Sequence, residues 1–147
     1  MRISDVLSSK SGDQSQAQVV TIAPDATVRE LLRLMAEHNI GAVVVSADST
    51  SVDGIVSERD VVRRLHDDEG VLDGPVHQIM TSDVQTCDPD TPVDDLRVVM
   101  TERRIRHVPV VRDGRLAGII SIGDVVKSSL DQLQFERDQL DSYVHQT

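Results

Sequence analysis

Apolar positions recur along this chain at two different periods, and the switches between them mark out its elements. Val28, Leu31, Leu32 and Met35 fall at i, i+3, i+4 and i+7, one stripe of an amphipathic helix that begins near Thr27. Val93, Leu96 and Met100 repeat that stripe in a second helix from near Pro92, a residue suited to a first helical turn. Short β-rich runs precede each helix, Val19 to Ile22 and Val84 to Cys87, separated from it by Pro-Asp turns. Two strands follow each, Ala42 to Ser46 with Val52 to Ser57, and His107 to Val111 with Arg115 to Ser121. Arg112-Asp113-Gly114 joins the second pair as a hairpin, because Asp-Gly accepts positive φ. Further helices start near Ser57 and Ser121, so the order β-α-β-β-α occurs twice.

The two halves are also alike residue by residue. Displaced by 65 positions, Val19–Val45 superposes on Val84–Val110 with 11 of 27 residues identical. After one deletion Gly54–Val62 superposes on Gly118–Val126, matching at Gly, Ile, Ser, Asp and two valines. Duplication explains this, and two copies imply a pseudo-twofold pair rather than a longer array. The fold class expected is α/β (α+β): residues 1–72 hold the first repeat with an N-terminal segment, 73–129 the second, and 130–147 a helical tail. Leu130, Leu133, Leu140 and Val144 alternate with polar residues in that tail. A short helical start is expected at Ile3 to Leu7, a flexible polar loop at Ser8 to Gln18, and an acidic connector at His66 to Pro75.

Composition narrows the possible functions. The 147 residues carry 25 Asp plus Glu against 15 Lys plus Arg, a net charge of -10, which disfavours duplex nucleic acid and anionic membranes as partners. Only Phe135 and Tyr143 are aromatic, so the core is aliphatic. A single cysteine, Cys87, and no Cys/His cluster imply a reducing compartment without a zinc site. The start lacks a signal-peptide pattern and no apolar run approaches the ~20 residues of a membrane span, so a cytoplasmic location is expected. No Ser/His/Asp arrangement, acid–base pair or Walker-type loop is found, so the chain reads as a non-enzyme that requires no cofactor or metal.

Candidate chemistry sits at the strand-to-helix junctions. Gly54-Ile55-Val56-Ser57-Glu58-Arg59-Asp60 and Gly118-Ile119-Ile120-Ser121-Ile122-Gly123-Asp124 share Gly, two aliphatics, Ser, any two, Asp. A helix N-terminus attracts phosphate, and a carboxylate three residues on can accept both hydroxyls of a ribose. Ser-x-x-Asp is equally close to a capping box, worth about 0.5–2 kcal/mol to the helix. Duplication within matched units favours binding. Two basic islands, Arg59, Arg63, Arg64 and Arg103, Arg104, Arg106, could supply phosphate contacts, with Arg103 and Arg104 read as a solvated helix end.

With Thr-x-x-Pro-Asp opening each copy (Thr21, Pro24, Asp25; Thr86, Pro89, Asp90) and the strand His107-Val108-Pro109-Val110-Val111, the chain resembles a tandem pair of CBS domains, a Bateman module, over roughly Met1 to Ser129. The resemblance implies two clefts for adenosine-containing ligands. One would use Asp124 for ribose, Ser121, Ile122 and Gly123 near phosphate, and Thr21, Ala42 and Val43 near the base. The other would use Asp60, Ser57 and Arg59 with Thr86, His107 and Val108, and Arg106 of the basic island, next to His107, is a further candidate for ligand contact. In the first copy Gly41-Ala42-Val43-Val44 departs from the residue-Pro pattern of Val108-Pro109.

The function expected is a stand-alone regulatory sensor of an adenine nucleotide (AMP, ADP or ATP), passing its output to an unknown downstream protein and pairing as a homodimer. Alternatives are a sensor of S-adenosylmethionine or NAD, or a ligand-independent interaction module. The Asp124 cleft is expected to accept nucleotide more readily than the Asp60 cleft, since Gly123 leaves the helix end open where Glu58 places a carboxylate.

Overall fold

The computed structural model describes residues 1–11 and 19–145. Helix α1 (Ile3–Ser11) leads into the first repeat: β1 (Thr21–Ile22), α2 (Val28–His38), β2 (Ala42–Val45), β3 (Gly54–Ser57) and α3 (Glu58–Asp67). Short 3-10 turns at Glu69–Asp73 and Val76–Gln78 connect to the second repeat: α4 (Val93–Arg103), β4 (His107–Arg112), β5 (Arg115–Ser121) and α5 (Ile122–His145). The polar segment expected to be a loop therefore divides. Ser8–Ser11 finish α1, and 12–18 lie outside the described residues.

Each repeat is a small sheet with helices packed on one face. In the first, β1 runs parallel to β2 and β2 antiparallel to β3. In the second only β4 and β5 form a ladder. The strand expected at Val84 to Cys87 is absent as such, because only Cys87 pairs: its N–H donates to Pro109 O at 3.0 Å and its carbonyl accepts from Val111 N at 2.8 Å. Its thiol is half-buried and pushed up to about 11 by burial and by neighbouring Asp88, which keeps it protonated and inert.

Strand alternation sorts the side chains. Val43 and Val45 join Val28, Leu31, Met35, Val56 and Val61 in the first core, while Val108 and Val110 join Val93, Leu96, Met100, Ile120 and Val125 in the second. Each such side chain contributes on the order of 1.5–3 kcal/mol by leaving water. The cores are completed from across the chain. Ile3 and Val6 of α1 lie in the second core, and Val76 and Ile79, which come ahead of α4, lie in the first. Leu7 and Met80 occupy matching places, each over the glycine that opens a junction motif. A Cβ on Gly118 would stand 2.6 Å from Leu7 Cδ2, and one on Gly54 would stand 2.5 Å from Met80 Sδ.

Both first helices end alike, with Asn39 (φ 52°) and Arg104 (φ 55°) in the left-handed region as C-caps. That turn aims the chain into β2 and β4. The tail is continuous with α5, as its pattern predicts.

Candidate functional site

The junction motifs first act on their own helices. Ser57 and Ser121 are the residues at which strand gives way to helix, and each hydroxyl accepts the backbone N–H of the aspartate three residues on, at 3.3 Å for Asp60 and 3.1 Å for Asp124. Each carboxylate answers by accepting the serine's own N–H, at 2.8 Å for Asp60 and 2.9 Å for Asp124. Both motifs are thus reciprocal capping boxes. The next amides are also engaged, Glu58 N–H with Gly41 O at 3.0 Å and Ile122 N–H with Arg106 O at 2.8 Å. Among the described residues, these bonds use Oδ2 of each aspartate and leave Oδ1 without a hydrogen bond.

Each box stands on the wall of a cleft. The first cleft, about 660 Å³, is lined by Ser121, Asp124, Ile119 and Gly118 of the second repeat, by Val19, Val20 and Glu37–Ala42 of the first, and by Leu7, Ser8 and Lys10. The second, about 690 Å³, is lined by Ile55, Ser57–Asp60 and Arg63, by Thr81 and Asp83–Gln85, and by Arg103–His107. Gly41, Ala42 and His107 line both, so the clefts meet at the middle of the molecule. Either volume accommodates a nucleotide-sized ligand.

Of the residues expected to form the first site, Asp124, Ser121 and Ala42 come together, whereas Thr21, Ile122 and Gly123 are not on the cleft lining. In the second, Asp60, Ser57, Arg59, Arg106 and His107 come together and Thr86 does not, its neighbour Gln85 lining the cleft instead. Val43 and Val108 are corrected outright as side-chain contacts. Adjacent strand residues face opposite ways, so placing Ala42 and His107 at the clefts drives Val43 and Val108 into the cores, 1% and 0% exposed.

The structure adds residues that sequence reasoning missed. Lys10 Nζ donates to Asp124 Oδ2 at 2.8 Å and to Ile119 O at 2.9 Å, tethering α1 to the first cleft. Burial raises the Asp124 carboxyl, but the Lys10 and Ser121 hydrogen bonds outweigh it and hold it below the usual value. His107 is pulled below its ordinary 6.5, chiefly by burial, so it is neutral at pH 7. Arg103 and Arg104, read from the sequence as a solvated helix end, line the second cleft beside Arg63 of the expected basic island. Displacing the chain by 65 residues superposes His38–Ala42 on Arg103–His107, and that match was the signal for them. Among the described residues, no group of three or more metal-ligating side chains converges and no helix is long and apolar enough to cross a membrane.

The duplicated units whose capping carboxylates face shared clefts match the CBS domain family, over residues 14–67 and again over 76–131. The chain belongs to the CBS-domain family. It is 34% identical over 152 residues to the mitochondrial CBS domain-containing protein CBSX3 of Arabidopsis thaliana, spanning 97% of this chain and 71% of that protein. A CBS-domain containing protein of Agrobacterium tumefaciens is similar in structure, with TM-score 0.80 and 41% identity, covering 88% of this chain and 99% of that one. A CBS domain protein of Pyrobaculum aerophilum, solved as a complex with AMP, superposes with TM-score 0.71 and 31% identity, covering 84% of this chain and 89% of that one.

Proposed function

We propose that this CBS pair is a regulatory module that senses an adenine nucleotide bound between its repeats. The observation that carries the reading is the placement of Asp60 and Asp124, each with one carboxylate oxygen unengaged among the described residues, on the wall of a cleft whose opposite side belongs to the other repeat. A ribose accepted there would touch both repeats, so binding would favour one arrangement of the pair over others. The AMP complex of the Pyrobaculum aerophilum relative supports the adenosine part of this reading. At the Asp124 cleft Lys10 already holds Oδ2, so a ribose there competes with it for the carboxylate.

The second reading, a ligand-independent interaction module, is favoured by the completeness of both capping boxes, which already employ Ser57, Asp60, Ser121 and Asp124. A thermal-shift series with AMP, ADP, ATP, NAD and S-adenosylmethionine separates the two, since a ligand at 100 times its Kd stabilises by about 2.7 kcal/mol. Calorimetry then assigns the clefts. Asp60→Ala and Asp124→Ala are expected to weaken binding at their own clefts by about tenfold to a hundredfold, and Lys10→Met to tighten it at the Asp124 cleft. No stabilisation by any of the five compounds, in a protein that melts cooperatively, defeats the sensor reading.

A further inference from the structure

The two clefts are built from equivalent backbone but carry opposite charge. One lysine faces two carboxylates in the first, and that lysine, Lys10, is spent on Asp124. The second gathers Arg59, Arg63, Arg103, Arg104 and Arg106 against Glu58, Asp60 and Asp83. Among the described residues none of these five arginines forms an ion pair, although the chain has 25 acidic residues to offer. One third of the 15 basic residues of an acidic protein thus converge on a single concavity, where they outnumber the carboxylates five to three.

Their origin makes the asymmetry specific. Arg103, Arg104 and Arg106 stand where the first repeat has His38, Asn39 and Gly41, and Arg59 stands where the second has Gly123. Arg104 holds its place in the left-handed region (φ 55°), a conformation that suits the equivalent Asn39 better than an arginine. Arginines come to the cleft from two directions, Arg59 and Arg63 from the first turns of α3 and Arg103, Arg104 and Arg106 from the end of α4 and the approach to β4. Planar guanidinium groups placed on two sides match a chain of phosphates better than a single one.

From this we infer that the Asp60 cleft is a polyphosphate site and that, on the adenosine reading above, its ligand is a nucleoside di- or triphosphate, whereas the Asp124 cleft takes ligands of lower charge. The ribose would sit at Asp60, with the phosphates running toward the α4 end. Such binding is steeply salt-dependent, as contacts between several guanidinium groups and a polyanion require.

The test uses the full-length Asp124→Ala variant, so that the Asp60 cleft is read alone, and titrates AMP, ADP, ATP and inorganic tripolyphosphate by calorimetry at two salt concentrations. Affinity is expected to rise from AMP to ATP by about tenfold or more, and the rise to shrink in high salt. Arg103→Gln and Arg104→Asn are each expected to cost ATP severalfold while changing AMP little. Arg104→Asn relieves the left-handed backbone, so it should melt no lower than its parent, which separates lost contact from lost fold. Equal affinity for AMP and ATP, or arginine variants that bind ATP as the parent does, overturns the inference and leaves the adenosine reading standing. Tripolyphosphate binding without any response to AMP, ADP or ATP overturns the adenosine reading and leaves the polyphosphate site standing.

Discussion

His107 lies where the two clefts meet, and its environment couples its charge to the stability of the fold. Burial lowers its proton affinity, Lys10 and Arg106 lower it further, and Asp124 and Glu58 act against them. The unfolded chain therefore takes up this proton first as pH falls below the ordinary 6.5, and stability is lost from there down to the folded-state value, below which both states are protonated. Asp124 acts in the same direction but in a lower window, its stabilisation being present above the ordinary carboxylate value of 3.8 and lost as pH falls through the depressed one. Denaturant melts at pH 7.5 and 5.5 are expected to show a loss of stability in acid that is smaller in His107→Gln. An identical loss in the two proteins would mean that other groups carry it.

At the scale of elements, α5 projects an apolar seam that no described residue buries. Val126, Leu130, Leu133 and Leu140 lie at spacings of four, three and seven, a heptad pattern, and the three leucines are 61%, 61% and 66% exposed. Arg137 occupies the intervening seam position with Glu136 beside it, so in a parallel pair of tails each Arg137 would meet the other copy's Glu136. A homodimer joined in this way is expected to fall to the 16.2 kDa monomer in Leu133→Asp/Leu140→Asp, by light scattering at micromolar concentration, with the fold retained because these residues are outside both cores. This helix, like α2 and α4, was legible in the sequence because its apolar stripe runs over several turns. The strand at Val84 to Cys87 was not. Extended residues read alike whether or not they find a ladder, and here only Cys87 reaches one. The clefts were legible through their serines and aspartates, which are local to one junction. Lys10 was invisible because it meets Asp124 from 114 positions away, and Val43 was misassigned because a matched position says nothing of which way a strand residue faces.

At the scale of the whole molecule, an acidic chain keeps a cleft where arginines outnumber carboxylates, and its sequence duplication conceals an exchange of parts. Helix α1 supplies Ile3 and Val6 to the second core, and the start of the second repeat, ahead of α4, supplies Val76 and Ile79 to the first. A cut after residue 72 would therefore leave two pieces, each holding a plug that fits the other's socket and lacking its own. Residues 1–72 and 73–147 made separately are expected to be largely unstructured by circular dichroism, and to regain helix and a melting transition when mixed in equal amounts, without any peptide bond between them. A fragment that melts cooperatively alone would show that its repeat can do without the borrowed residues. What looks in sequence like two beads on a string is, in its packing, closer to a dovetail joint, where neither half can be shaped before the other is present.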